Sequence, residues 1–537
     1  MANKDHSIAR ACTVLLLGVG IHHGAQAQTE PTATENLAAA EVRAEASAAQ
    51  TSSVVIALIQ MLIKEGVITV EKAQEMLDQA EHDAAVARQR VSAPPPTTVR
   101  VPYVPETVKN QMREELRSEI TAQAKAERWG VPGTLPEWID RVEWGGDIRL
   151  RAHGDYFGDN FPYFPDAQAI NDKGGVNNAD GFPFINSTDD RLRLRYRTRL
   201  NLKAEVTPGV KVGITLAAGE DNGPISTNKT FGDYLRKDPI WLDRAYIEAT
   251  PVKGLTFTGG RMPNPFFSTD LIWDADLNFE GLALSGKHGV GTDAKNTSLF
   301  ATAGVFPLLE SSRNADRWLY AGQLGGSTAV GSGSVKLGAA WYEYDNVQSQ
   351  KNPADGSKLN DYSKPPLLAQ GNSLFNMRTD GLTTLAGLAS DFRLLNITGQ
   401  AEFPINPTMV VRFTADYVRN MAMDAAEIDR LRGEPGVKPG DTGWQARLFA
   451  GHKKIAARHS WDVSATYRHL ETDAVLDAFA DSDFGAYGGT DLEGYILEGN
   501  YAVADNTWLS LKWLSADSIE RAPFSTDVVL FDLNARF

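Results

Sequence analysis

From about residue 141 to the end of the chain, apolar and polar residues alternate in segments of roughly eight to fourteen residues, each bounded by Gly, Asn, Asp or Pro. The clearest segment runs from Asp190 to Glu205. Leu192, Leu194, Tyr196, Thr198, Leu200, Leu202 and Ala204 fall on one side, while Arg191, Arg193, Arg195, Arg197, Arg199, Asn201, Lys203 and Glu205 fall on the other. This is the period of a β-strand with one face suited to an apolar medium and the other to water and anions. A half-exposed strand of a soluble sheet alternates as well. Consecutive inward arginines make a poor solvent face, however, because like charges repel along the row, and about ten residues is the length a tilted strand needs to cross a bilayer core. The same apolar-on-one-face pattern sets Ile148, Leu150 and Ala152 against Asp147, Arg149 and Arg151, and recurs over Val210–Ala218, Val335–Trp341, Met409–Tyr417 and Trp461–Tyr467. It is weaker over Tyr495–Val503 and Thr507–Trp513.

The connections alternate in length. Tight ones at Thr207–Gly209, Pro251–Gly254, Asn406-Pro407 and Ala504–Asn506 are interspersed with long polar ones at Tyr156–Thr188, Asn346–Ser390 and Asn420–Asp441. An up-and-down transmembrane barrel needs that arrangement, with turns at one rim and loops at the other. The segment count predicts an all-β antiparallel barrel of about sixteen strands, within about fourteen to eighteen. A barrel of that size encloses an aqueous channel rather than a filled core. The last segment alternates Val529, Phe531, Leu533, Ala535 and Phe537 with Asp532, Asn534 and Arg536. So apolar an edge strand would aggregate unless the barrel closed on it, and Phe537 is the expected assembly signal.

Upstream of residue 141 the period is helical. Residues 1–27 read as a secretory signal peptide, with Lys4 and Arg10, an apolar run from Val14 to Ile21 and Ala25-Gln26-Ala27 before the cleavage point. Residues 28–93 predict a helical hairpin or coiled-coil region, 94–106 a Pro-rich linker, and 107–140 a helix followed by a Trp- and Pro-containing connector. The barrel is assigned to 141–537.

Composition narrows the class. A mean hydropathy of −0.29 with 23% charged residues excludes a helical membrane protein. The lone cysteine, Cys12, lies within the signal peptide, so the exported chain has no disulfide framework. The net charge of −15, with a basic row on one strand, implies that charge is segregated by surface. The chain carries no Gly-x-Ser-x-Gly elbow, no His-Glu-x-x-His and no phosphate-binding loop, and neighbours such as His459 and Ser460 would point to opposite faces of a strand. No enzyme, cofactor or metal site is expected. Asp270, Asp274 and Asp276 read as turn aspartates more readily than as Ca²⁺ ligands. Nucleic acid is excluded as a partner, since a basic site for it would stand exposed with interleaved aromatics.

The candidate chemistry is therefore the pore wall. Arg191, Arg193, Arg195, Arg197, Arg199 and Lys203, joined by Arg149 and Arg151 of the preceding strand, would set a positive potential along it. Three outcomes follow: a transverse field against an acidic wall, which is the favoured one, an anion-selective ladder, or a scaffold of ion pairs with acids such as Glu248, Asp416 and Asp462. The segment Arg261–Glu280, with Pro263, Pro265, Phe266, Phe267 and Trp273, either folds inward as a constriction loop that sets Asp270, Asp274 or Asp276 against the arginines, or forms an external rim turn.

The layout resembles the Gram-negative "Putative porin" family. The resemblance rests on the hairpin at Leu58–Leu77, the segment Glu119–Trp138, Gly146-Asp-Ile-Arg-Leu-Arg151, the arginine strand, and Gly260-Arg-Met-Pro-Asn-Pro265 leading to Trp273-Asp-Ala-Asp276. It implies an outer-membrane pore passing small hydrophilic solutes or ions by diffusion, homotrimeric, surrounded by outer-membrane lipids, with a periplasmic helical N-terminal part and a C-terminal strand read by the barrel assembly machinery. The alternative from another class is an envelope tether whose barrel only anchors the N-terminal helices.

Overall fold

The computed structural model describes residues 141–537, apart from 220–222, 292–296, 435–437 and 439. The signal peptide, helical hairpin, linker and connector expected over residues 1–140 lie outside the described residues.

Sixteen long strands follow one another: β1 (Val142–Phe157), β2 (Arg191–Thr207), β3 (Val210–Ala218), β4 (Ile240–Val252), β5 (Leu255–Pro263), β6 (Asn278–Gly289), β7 (Thr297–Leu309), β8 (Arg317–Val330), β9 (Gly333–Asp345), β10 (Arg393–Pro404), β11 (Met409–Asn420), β12 (Thr442–His452), β13 (Trp461–Leu470), β14 (Leu492–Ala504), β15 (Thr507–Ser518) and β16 (Ser525–Arg536). Each pairs antiparallel with its sequence neighbours, and β1 pairs with β16 from Asp147↔Arg536 to Phe157↔Thr526. The sheet is thus a closed 16-strand barrel with no free edge. Among the described residues no helix is long and apolar enough to cross a membrane.

The connections at one end are tight turns such as 208–209 and 253–254. Gly209 (φ +82°) and Gly254 (φ +87°) supply the left-handed backbone these turns require, and a Cβ at Gly254 would also run into the Lys287 carbonyl. At the other end lie connections 158–190, 219–239, 264–277, 346–392, 421–441 and 471–491. They carry short structure that a reading by period two passes over, notably α1 (Ala167–Asp172), capped by Asp166, and α2 (Ala425–Arg432), capped by Asp424 and ended by Gly433 at φ +77°. Where β3 stops at Ala218, Lys229–Thr230 takes over the edge of β2 beside Arg195 and Tyr196.

The outward face follows the alternation: Ile148, Leu150, Leu192, Leu194, Leu337, Phe413 and Leu497 are exposed. The inward face departs from it. Phe279, Phe306, Leu319, Tyr342, Leu394, Val418 and Leu470 point inward and bury Phe266, Leu271, Ile272 and Trp273 of connection 264–277. A second cluster packs Phe484 against Leu492, Ile496, Leu514, Val528 and Leu530, with Phe157 and Phe164 alongside. The expectation of apolar residues on one face only, around an unfilled channel, is therefore corrected. Where connections fold back into the barrel the wall beneath them is dry on both sides, and a doubly buried strand loses its alternation. In β16 the inward series changes from Thr526, Val528 and Leu530 to Asp532 and Asn534.

Candidate functional site

Connection 264–277 leaves β5 at Pro263 and runs through the barrel interior. Asn264 starts the turn, its side-chain oxygen accepting from Phe266 N at 2.9 Å. Gln323 of β8 then grips the Phe267 peptide from both sides, accepting from its N–H and donating to its carbonyl, each at 2.8 Å. Thr269 donates to Asp416 of β11. Asp270 accepts from Gln445 of β12 at 2.9 Å and lies 3.0 Å from the Arg468 guanidinium of β13. Trp273 is buried among Phe279 and Tyr342, at ring separations of 4.9 and 5.2 Å. Asp276, at the far end, sits 3.4 Å from both Arg197 and Arg199 of β2. The segment spans from β5 to walls on both sides of the barrel, so it lies inside and not at the rim.

The three aspartates diverge. Asp270 faces Arg468, Asp274 accepts from the backbone N–H groups of Asp276 and Ser482 at 2.8 Å each, and Asp276 faces the arginine row. Burial would raise the Asp270 carboxyl, yet Arg468 holds it below the usual carboxylate range. Burial, and then the negative charge of Asp481, push Asp274 the other way. Asp483, on connection 471–491, is held low by Arg151 and Lys512 against its burial.

On β2 the leucines face outward and the arginines inward. Arg191 is exposed at the strand's outer end, and Lys203 is exposed near the turn. Arg193 contacts Asp155 at 2.5 Å and His153 at 3.0 Å, and Arg195 lies 3.5 Å from the same imidazole. Arg197 and Arg199 share Asp147 (3.1 and 2.9 Å) as well as Asp276. On β1, Arg151 binds Asp532 at 2.8 Å and Asp483 at 3.1 Å, while Arg149 meets Asn228 at 2.5 Å. The register explains the need for acids, since Arg149 stands opposite Arg197 and Arg151 opposite Arg195. Like charges across a strand pair are destabilising unless anions are placed among them.

The acids doing so are Asp147, Asp155, Asp276, Asp483 and Asp532, which corrects the expected set. Asp416 is engaged with Thr269, Asn396 and Thr398, Asp462 with Asn500, and Glu248 stands beside Lys211. Asp147 and Asp155 were within reach of sequence reasoning, because both share the parity of Arg149 and Arg151 on the neighbouring strand. Asp276 and Asp483 come from folded-in connections and carry no comparable signal. Phe537 lies at the seam, where its N–H and carbonyl exchange 3.0 Å hydrogen bonds with Gly146 and its ring covers the space a Cβ there would need.

The model of the "Putative porin" family matches residues 52–537. No curated protein matches the chain. Among solved structures, the high-pH structure of Pseudomonas putida OprB is 12% identical and covers 76% of this chain and 97% of its own, at a TM-score of 0.44. The outer membrane channel DcaP of Acinetobacter baumannii is 13% identical over 74% of this chain and 97% of its own, at 0.38. In-vitro folded OmpT of Vibrio cholerae, in a trimer form, is 10% identical over 74% and 99%, at 0.39.

Proposed function

The chain belongs to the "Putative porin" family, and on that premise we propose that it is a passive pore of the Gram-negative outer membrane, admitting small hydrophilic solutes and ions. The observation that carries this reading is the inward course of 264–277, which narrows the barrel and sets Asp276 against Arg197 and Arg199. Charged side chains gathered inside a barrel whose outer face is leucine and phenylalanine suit a water-filled lumen, where their field acts on passing ions. The β1–β2 wall is read as an ion-paired electrostatic scaffold, and not as a free ladder of arginines. The assembly is read as a homotrimer in outer-membrane lipid, with the helical N-terminal region on the periplasmic side and the seam at Phe537 serving insertion. Planar-bilayer recording of the purified protein in KCl tests the reading: discrete conductance steps are expected, and their absence from a folded, inserted preparation would refute it.

A further inference from the structure

The arginine row is the conspicuous cationic feature of the chain, but its positive charge is answered by acids. On the wall formed by β5 to β9, Arg261 is answered by Glu280, but two lysines are not answered in this way. Lys287 of β6 and Lys336 of β9 both point inward, by the parity that turns Leu282, Leu284 and Leu337 outward. They line one recess of about 550 Å³, bounded by Pro265–Ser268 of the crossing segment and by the turn at Gly254. No acidic residue lines it, and among the described residues neither lysine has an ion-pair partner.

The recess is built into the sheet. Gly325 and Gly338 stand opposite each other on β8 and β9, and Phe300 stands opposite Gly325 on β7. A Cβ at Gly325 would run into the Phe300 ring and the Leu337 carbonyl, and one at Gly338 would press Phe267 at 3.2 Å. The missing side chains let both rings lie down against the wall, and the Lys336 ammonium sits over them, 3.7 Å from the Phe267 centroid and 4.8 Å from that of Phe300. The ammonium is thus held in place with its remaining donors free, and Lys287 stands opposite Phe300 on the adjoining strand. Around the lysines are hydroxyls: Ser285 with Thr302 (3.2 Å), Ser327 with Ser298 (3.0 Å) and Thr256 with Thr250 (3.3 Å). Each such pair uses one O–H and leaves a second donor and several lone pairs unspent.

We propose that this recess is an anion subsite of the pore, taking a small carboxylate that carries hydroxyl groups, with Lys287 and Lys336 on the carboxylate and the serine and threonine hydroxyls on the solute's own. The proposal rests on the pore reading. Charge-assisted hydrogen bonds from two ammonium groups outweigh those the hydrated anion gives up, because the Lys336 ammonium is already positioned and neither lysine is compensated by an acid among the described residues.

The experiment uses the full-length protein in planar bilayers, with gluconate as the probe and hexanoate, the same carbon chain without hydroxyls, as comparator. KCl conductance of the unmodified protein is recorded first, so a failure of the pore reading shows before any probe is added. Gluconate is expected to reduce the current saturably, and hexanoate to need at least about fivefold more for the same reduction. Lys287→Gln, which leaves the Lys336–Phe267 contact in place, is expected to raise the half-blocking gluconate concentration at least about threefold, and Lys287→Gln/Lys336→Gln at least about tenfold. Lys336→Arg, which keeps charge and ring contact, is expected to stay within about twofold, and Arg197→Gln/Arg199→Gln, which alters the field at β2, is expected to weaken the block less than Lys287→Gln/Lys336→Gln does. An unchanged block in Lys287→Gln would leave Lys336 as a clamp on Phe267 and overturn the subsite. Equal block by hexanoate would overturn the hydroxyl recognition, and a larger loss of block in Arg197→Gln/Arg199→Gln than in Lys287→Gln/Lys336→Gln would move the site to β2.

Discussion

Arg468 is where the crossing segment is held to the far wall, and its removal should unseat that segment. Its side chain is 1% exposed, lies 3.0 Å from both Asp270 and Asp481, donates to Gln445 at 3.0 Å and covers the Phe484 ring at 4.9 Å. Replacing it with Gln leaves two carboxylates facing a neutral group. Breaking a buried ion pair from one side costs about 3–5 kcal/mol, because the remaining charge is stranded. Asp481 is 10% exposed and bears that cost, but Asp270 keeps 28% of its side chain in contact with solvent and can rehydrate. The lower end, about 3 kcal/mol, is therefore the working figure, and it shifts the ratio of seated to unseated segment by roughly a hundredfold. Single-channel recording should then turn a steady level into rapid transitions between levels, with chymotrypsin gaining access to Phe266–Trp273. Asp270→Asn added to Arg468→Gln should restore part of the steadiness. The unmodified protein should show the same flicker in acid. The Asp270 carboxyl is depressed, so the anchor is complete above the ordinary aspartate value of about 4 and fades as the pH falls below it. An Arg468→Gln protein with unchanged step size, noise and proteolysis would refute this account of how the segment is held.

Arg197→Gln/Arg199→Gln leaves Asp147 and Asp276 unanswered, so the reversal potential in a KCl gradient should move towards cation preference, and an unmoved potential would show that this pair does not face the ion path. Gly146→Val places a branched side chain where the Phe537 ring and the Arg199 carbonyl lie, and should lower the yield of heat-modifiable barrel on gels far more than Phe537→Leu does. Burial pushes Asp477 up to about 7 and Asp473 up to about 6; the Asp473 carboxyl accepts from the Ser373 N–H, and the Asp477 backbone N–H donates to the Asn372 side chain. Their raised values mean that stability is full below about pH 4 and is lost as the pH rises through 6 to 7. Protection factors for hydrogen exchange over 372–376 and 471–480, taken relative to the intrinsic rate at each pH, should therefore fall between pH 5 and pH 8, less so in Asp477→Asn.

The wall was legible and its contents were not. Leu192 to Leu202 against Arg191 to Lys203 locates β2 to within two residues, because one face meets an apolar medium along the whole strand. Val210–Ala218 and the final strand are equally direct. For Phe266, Leu271, Ile272 and Trp273 the sequence leaves an inward constriction loop and an external rim turn both open, since a connection folded onto a wall has no period of its own. The acids of the arginine row divide by the same rule: Asp147 and Asp155 share a strand parity that can be counted, whereas Asp276 and Asp483 reach the row through tertiary folding. Lys287 and Lys336 are single lysines in Gly- and Ser-containing strands, and only the barrel brings them to one recess.

The change of inward residue along β16, from Val528 and Leu530 to Asp532 and Asn534, bears on how such a protein can be altered. Each folded-in connection is matched to the stretch of strand beneath it, so a loop and its wall form one inheritable unit. Grafting 471–491 or 264–277 onto another barrel would leave bare leucines and valines facing water in the donor and bury charges in the recipient. The exchangeable module in this fold is a loop together with the upper halves of the strands that line it, and variation that respects that boundary is the kind the fold can accept.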